Sequence, residues 1–193
     1  MNGTTQAESA ALLERFAAAL TARGIVSEAE IADRIARTNR ASPEIGARMV
    51  ARAWTDDAYR ALLLQDGSAA AEAEGVSMAG MPPLGVLADT PATHHVVVCT
   101  LCSCYPRAVL GYPPGWFKSA SYRARMVRDP RAVLAEWGTV LPEGVALRVV
   151  DSTADYRWMV LPERPAGTEG WDAARLATIV TRDVLVGVAL PRA

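Results

Sequence analysis

The sequence predicts an α+β fold, with a helical arm over residues 1–75 followed by a mixed domain over residues 76–193. Three observations carry this. Apolar residues recur at helical spacing through the first part, and β-branched runs of strand length begin only after about residue 90. The strands and helices that follow show no strict β-α-β alternation, which separates the chain from a doubly wound sheet.

In the arm, Leu12, Leu13, Phe16 and Leu20 mark one helical face, and Gly24 supplies a stop. Ser27 followed by Glu30 is a capping box that opens a second helix through Ile31 and Ile35. Beyond Pro43, the residues Ile45, Met49 and Trp54 mark another apolar face. Thr55 is placed to cap a short helix carrying Tyr59, Leu62 and Leu63, closed near Gly67. The apolar stripes are modest, so the arm is expected to pack against the rest of the chain or against a partner subunit. From Gly75 to about Thr90 the texture turns to Gly, Pro and Met without periodicity, which reads as a linker or long loop. Strand signals follow at His95–Cys99, Ala146–Val150, Tyr156–Leu161 and Val184–Val188. Between them, Asp129 as N-cap with Pro130 at the first helical position opens one helix, and another runs from about Trp171 to Val180.

Composition narrows the function classes. A chain of 193 residues with 51% hydrophobic and 21% charged residues is neither disordered nor dependent on metal or disulfides merely to fold. Twenty basic and twenty-one acidic residues leave a net charge of -1, so there is no electrostatic footprint for nucleic acid or an anionic membrane. All the basic residues except Lys118 are Arg. No segment approaches the roughly 20 apolar residues of a membrane span, and Glu8 and Glu14 interrupt what a signal peptide would keep apolar. A cytoplasmic location is expected. The chain also has no Gly-rich phosphate loop and no nucleophile elbow.

Its three cysteines, an odd number and so no secreted disulfide framework, all fall in Cys99-Thr100-Leu101-Cys102-Ser103-Cys104. Clustered thiolates in a reducing compartment serve metal binding or redox chemistry. Structural zinc usually takes four ligands from two segments, and a Cys-four iron–sulfur cluster lacks its fourth Cys here. Three thiolates this close can instead take neighbouring vertices of one ion, with the deprotonated amide nitrogens of Ser103 and Cys104 completing a five-coordinate claw. Five negative charges suit a trivalent ion, and the open sixth position suits catalysis. On spacing alone the claw, a zinc site and a redox thiol set all stay open.

The segment Val98-Cys99-Thr100-Leu101-Cys102-Ser103-Cys104-Tyr105 resembles the metal-binding motif of the nitrile hydratase α-subunit family, which includes the metal-bearing subunit of thiocyanate hydrolase. The resemblance continues through Val109-Leu110-Gly111, Pro113-Pro114, Trp116-Phe117-Lys118, Tyr122-Arg123-Ala124-Arg125 and Val127-Arg128-Asp129-Pro130-Arg131. It returns at Val160-Leu161-Pro162, Arg164-Pro165-Ala166-Gly167-Thr168, Gly170-Trp171 and Val180-Thr181-Arg182. Upstream, Gly46-Ala47, Val50, Ala53-Trp54-Thr55-Asp56 and Leu62-Leu63 also fit.

The resemblance implies a layered α-β-β-α metal-binding domain and a hydro-lyase that turns a small-molecule nitrile into its amide. It implies one Co(III) per chain held by Cys99, Cys102, Ser103 and Cys104. Thr100 and Tyr105 point to cobalt rather than iron. Cys99 matches the unmodified axial thiolate, Cys102 the sulfinate and Cys104 the sulfenate, whose oxygen, or a water it activates, is the attacking group. Ser103 and Cys104 match the amidate ligands, the Ser103 hydroxyl is placed to bond a partner group, and Trp116 matches a residue lining the substrate pocket. The arginines that guard the oxidised sulfurs come from a β subunit in this family. The implied partners are therefore that β subunit, as one or two smaller chains in an (αβ)2-type hetero-oligomer, and a cobalt-insertion activator protein. Arg107 is the local alternative guard, more simply a surface or interface residue.

Other candidates take plainer readings. His94 and His95 are adjacent on a strand and point to opposite faces, so at most one faces the metal, and a structural or proton-relay role is expected. Trp54, Trp137, Trp158 and Trp171 are expected in packing. Arg123, Arg125, Arg128 and Arg131 are expected in buried pairs and interface contacts. One stretch departs from the family. Where nitrile hydratases carry a Gln-Gly-Glu type loop, this chain reads Met78-Ala79-Gly80-Met81-Pro82-Pro83-Leu84, which would admit a larger nitrile. Thiocyanate hydrolysis to ammonia and carbonyl sulfide is the second enzymatic reading, and a non-catalytic metal-binding relative the third.

Overall fold

A computed structural model describes residues 5–193. It divides into two compact units, Met1–Arg40 and Ala41–Ala193. The first holds α1 (Gln6–Ala22) and α2 (Glu28–Arg40). Both open on reciprocal capping boxes. Thr5 and Glu8 cap α1, while Ser27 Oγ accepts from Glu30 N–H at 3.1 Å and Glu30 returns to Ser27 N–H at 2.7 Å. Leu12, Leu13, Phe16, Ile25 and Ile35 remain exposed.

In the second unit, α3 (Pro43–Ala53) buries Ile45, Met49 and Val50, and is followed by α4 (Asp57–Gln65) and α5 (Gly67–Ala73). The cap of α4 is Asp56 rather than Thr55. The Asp56 carboxylate accepts from Tyr59 N–H at 2.9 Å, whereas the Thr55 hydroxyl turns back to the Ala51 carbonyl. Helix α4 closes near Gly67 as expected, and Asp66 at once caps a further helix, α5, through Ala69 N–H.

Two pairs of parallel strands form the centre. β1 (Leu84–Ala88) pairs with β4 (Arg157–Leu161), and β2 (Thr93–Val98) pairs with β3 (Ala146–Asp151). Parallel pairing requires long crossovers. The one from β2 to β3 carries the single turns α6 (Arg107–Leu110) and α7 (Gly115–Lys118), then α8 (Ala120–Arg128) and α9 (Pro130–Glu136). After β4 come α10 (Ala173–Ala177) and α11 (Arg182–Leu185). Helices α4 and α5 lie on β1, α11 lies on β4, β4 meets β2, and α9 lies on β3. The order is α-β-β-α, as expected. Among the described residues no helix is long and apolar enough to cross a membrane.

Two strand assignments change. Residues Leu84–Ala88 form β1 where the sequence reads as loop. Gly85 hides the strand, and it is needed there because a Cβ would meet the Trp158 ring at 2.4 Å. Conversely, Val184–Val188 is no strand. Thr181 caps α11 at Val184 N–H, and Gly187 at φ +78° turns the chain immediately afterwards. The β-branched run there fills the core rather than a sheet. Its turn still docks on β2, where Val97 N–H donates to the Val186 carbonyl at 2.9 Å. The Asp129–Pro130 start of α9 stands as expected, with Asp129 accepting from Ala132 N–H. The helix expected over Trp171–Val180 is confined to α10, capped by Asp172.

The two glycine positions Gly187 and Gly138 make a direct comparison. A Cβ at Gly187 would lie 1.9 Å from the His95 carbonyl oxygen, whereas one at Gly138, with φ +83°, meets nothing within 4 Å. Gly138→Ala is expected to cost about 1–2 kcal/mol for its left-handed backbone alone, and Gly187→Ala distinctly more. Urea unfolding of the two variants side by side checks this, and equal losses would contradict the docking of the turn on β2.

Candidate metal centre

The centre begins where β2 ends. Val96, Val97 and Val98 are buried, so Cys99 is delivered from a fixed strand into a loop with no regular structure of its own. Cys99 and Cys104 are buried and Cys102 is exposed. The Sγ atoms of Cys99 and Cys102 stand 3.5 Å apart, and those of Cys102 and Cys104 3.3 Å apart. All three sulfurs lie within 4.8 Å of one another. The loop is folded onto itself by Cys102 N–H, which donates to the Cys99 sulfur at 3.3 Å.

Two side chains from distant elements brace this loop from outside. Asp151, at the end of β3, accepts from Thr100 N–H at 3.0 Å and from the Thr100 hydroxyl at 2.5 Å. Arg123 on α8 donates to the carbonyls of Thr100 at 3.1 Å and Leu101 at 3.0 Å. Its neighbour Tyr122 donates from a buried hydroxyl to the Val97 carbonyl at 2.9 Å, which fixes α8 against β2. The other arginines of that run do separate work. Arg125 pairs with Glu136, and Arg131 reaches the carbonyls of Leu141, Pro142 and Val145.

Electrostatics divides the thiols. The thiol of Cys104 holds that of Cys102 below its ordinary range, helped by the backbone N–H groups of Ser103 and Cys104 and by Cys99. Burial pushes the Cys104 thiol up to about 12, with Cys102 and Cys99 adding to the rise and Arg157 opposing it. A metal reverses such a rise by replacing the proton.

The donor set fits one ion. With a metal–thiolate bond of about 2.3 Å, two sulfurs on one ion stand about 3.3 Å apart at a right angle and about 3.8 Å apart at a tetrahedral one. The separations of 3.3 and 3.5 Å are those of ligands sharing an ion, the first at close to a right angle. Histidine adds nothing to the set. His94 and His95 both turn to Asp89, at 2.8 and 2.9 Å.

Ser103 lies half-buried between two of the sulfur donors. Trp116 sits in an aromatic cluster, 4.9 Å from both the Tyr122 and Trp137 rings and 5.8 Å from Phe117. The cavity next to the claw, about 180 Å³, is lined by other residues, among them Met78, Met81, Leu84, Tyr105, Arg107 and Arg157. Sequence reasoning singles out the Met78–Leu84 stretch and Arg107 but misses Asp151 and Arg157. Nothing local marks either one, because only the parallel register of β3 and β4 brings them to the loop.

The family described as nitrile hydratase, alpha chain, matches residues 7–189. Over 161 residues the chain is 51% identical to the thiocyanate hydrolase subunit gamma of Thiobacillus thioparus, an alignment covering 78% of this chain and 66% of that relative's length. It is 46% identical over 186 residues to the low-molecular weight cobalt-containing nitrile hydratase subunit alpha of Rhodococcus rhodochrous, covering 95% of this chain and 89% of the relative. Among solved structures, a thiocyanate hydrolase mutant superposes with a TM-score of 0.87 at 41% identity, covering 98% of this chain and 92% of that one. An Fe-type nitrile hydratase from Comamonas testosteroni Ni1 follows with a TM-score of 0.84, also at 41% identity, over 98% of this chain and 93% of that one.

The split between the thiols is directly measurable. In metal-free, reduced protein, iodoacetamide is expected to alkylate Cys102 first and Cys104 last, with Cys104 resisting through mildly alkaline pH. Mass spectrometry of quenched time points gives the order. Modification of Cys104 ahead of Cys102 would contradict the electrostatics described above.

Proposed function

The chain belongs to the nitrile hydratase alpha-chain family, and on that premise we propose that it is the metal-bearing subunit of a cobalt nitrile hydratase, converting a nitrile to its amide. The observation that carries the reading is the convergence of the Cys99, Cys102 and Cys104 sulfurs within 4.8 Å, in a loop held from outside. Cys99, Cys102, Cys104 and the backbone nitrogens of Ser103 and Cys104 are the residues that would hold Co(III). When bound, the ion supplies Lewis-acid polarisation of the nitrile carbon.

The chain's own residues do the rest. Cys104, as its sulfenate, presents or orients the oxygen that attacks, and Cys102, as its sulfinate, shares the negative charge. Sulfenate and sulfinate need cationic hydrogen-bond donors around them. Arg157 stands on the chain's own side of Cys104, and its Nη1 is buried without a partner. The remaining donors come from a β subunit that covers the exposed Cys102 and Leu101. The Ser103 hydroxyl bonds a group of that subunit. The exposed apolar residues of α1 and α2 support such a partner, since faces of that kind mark interaction surfaces. Trp116 supports the pocket from its aromatic cluster, and Met78, Met81 and Leu84 give the cavity an apolar wall suited to a substituent larger than a short alkyl chain.

A specific observation favours a second reading, hydrolysis of thiocyanate. Arg107 and Arg157 both line the cavity and no carboxylate is among its lining residues, an arrangement suited to an anion.

The complex, produced with cobalt available, is to be offered nitriles and thiocyanate side by side. Amide without free ammonia is expected. Ammonia and carbonyl sulfide from thiocyanate alone would move the assignment to the second reading, and no turnover with Cys102 and Cys104 unoxidised would indicate a non-catalytic relative. Cys104→Ser is expected to lower kcat by more than about 10³-fold, and retained activity would remove the role given to Cys104.

A further inference from the structure

Asp89, His94 and His95 form a buried polar cluster away from the cysteines. His94 Nε2 lies 2.7 Å from the Gly187 carbonyl oxygen, and its Nδ1 lies 2.8 Å from Asp89 Oδ2. A peptide carbonyl has no proton to give, so Nε2 must carry one. An ionised carboxylate also only accepts, so Nδ1 must carry one too, and the ring is then a cation. The alternative places the proton on Asp89. The other oxygen argues against that, because Asp89 Oδ1 already accepts from His95 N–H at 2.8 Å and lies 2.9 Å from His95 Nδ1. Such donors favour the ionised carboxylate. Asp89 is 7% exposed and His94 4%, so the interaction is largely shielded from solvent.

We propose that His94 is stored as an imidazolium paired with Asp89, and that this buried ion pair positions the strand that delivers Cys99. One edge of β2 is fixed by β3. The turn after α11 holds β2 as well, through Val97 N–H to the Val186 carbonyl and through His94 Nε2–H to the Gly187 carbonyl. Asp89, just beyond β1, grips the backbone of β2 at His95 N–H and donates its own N–H to the Leu161 carbonyl at the end of β4. The ion pair thus ties β2, β4 and the C-terminal turn at one point. A slip of β2 by one residue would break every one of these bonds and reverse which side chains face the claw.

Burial pulls the His94 pKa down, but the hydrogen bond and charge of Asp89 and the Gly187 carbonyl more than offset it, so the balance is a rise. The titratable and charged groups around the ring are Asp89 and His95, with Arg148 of β3 paired across from His95 and Leu147 across from His94 itself. Because the folded value is raised, the stabilisation is fully present below the ordinary histidine range and is lost as pH rises through the folded value.

The positioning role rests on the metal-centre reading, whereas the charge on His94 does not, and the test separates the two. The chain holds only two histidines, so in a ¹⁵N-histidine spectrum of the complex the His94 signals are those lost in His94→Gln. Both ring nitrogens are expected to be protonated at neutral pH. In the cobalt-loaded complex, His94→Gln and Asp89→Asn are expected to shift the thiolate-to-metal absorption band and lower kcat by about tenfold, with KM little changed. Thr139→Val provides the structural control. It removes the Thr139 hydroxyl bond to the Val188 carbonyl, anchoring the same turn without touching β2, and is expected to lower the melting temperature while leaving the band in place.

A neutral His94 ring at neutral pH would overturn the ion pair. An unaltered band and kcat in both variants, even with lowered melting temperature, would overturn the positioning role. If the variants fail to assemble, His95→Gln removes the signals of the other histidine and leaves those of His94 to decide. A charged His94 in a complex that takes up no cobalt would count against the metal reading and end the positioning role with it.

Discussion

Three sulfurs within 4.8 Å of one another repel as thiolates, and a six-residue loop without regular structure has no means of its own to hold them there. The surrounding chain supplies the restraint. Asp151 holds the Thr100 amide and hydroxyl, Arg123 holds the next two carbonyls, and Tyr122 fastens the helix that carries Arg123 to the strand that carries Cys99. The braces come from β3 and α8, and each depends on the placement of β2. The order of layers, the length of the crossover between β2 and β3 and the aromatic packing around Trp116 all serve to bring these groups to one loop. Preorganisation of this kind removes from metal binding the cost of ordering the ligands.

The same restraint shapes the chemistry. The Cys104 thiol lowers the pKa of Cys102 while burial raises that of Cys104, so two chemically identical side chains differ in how readily each forms a thiolate. A cavity whose lining includes two methionines and two arginines reaches Tyr105, the residue that follows Cys104. The substrate question then reduces to which wall dominates. Apolar burial favours a neutral nitrile, and charge favours an anion.

The metal loop was legible because its residues are contiguous, and the capping box at Ser27 because it is local as well. The brace at Asp151 was not, since it meets Thr100 only through the parallel register of β2 and β3. Gly85 masked β1 for a related reason. Its choice answers to the Trp158 ring across the pair and not to strand propensity. At Val184–Val188 the propensity was real but was overruled by the Thr181 cap and the turn at Gly187. The role of the histidines was half legible. Their alternation on a strand argued against metal ligation, but Asp89, their common partner, lies beyond a turn whose closure the sequence does not announce.

The docking of the Val186–Gly187 turn on β2 has a consequence in time. Synthesis proceeds from the N-terminus, so Cys99, Cys102 and Cys104 leave the ribosome long before the residues that lock the strand behind them. Until the Val186–Gly187 turn emerges, β2 lacks one of its two lateral supports and the thiols sit in a chain still free to rearrange. The loop gains its full restraint only after Val186 and Gly187 have followed it out of the ribosome. That order leaves an interval in which the ligands are reachable and pliable, and it closes with the arrival of Gly187.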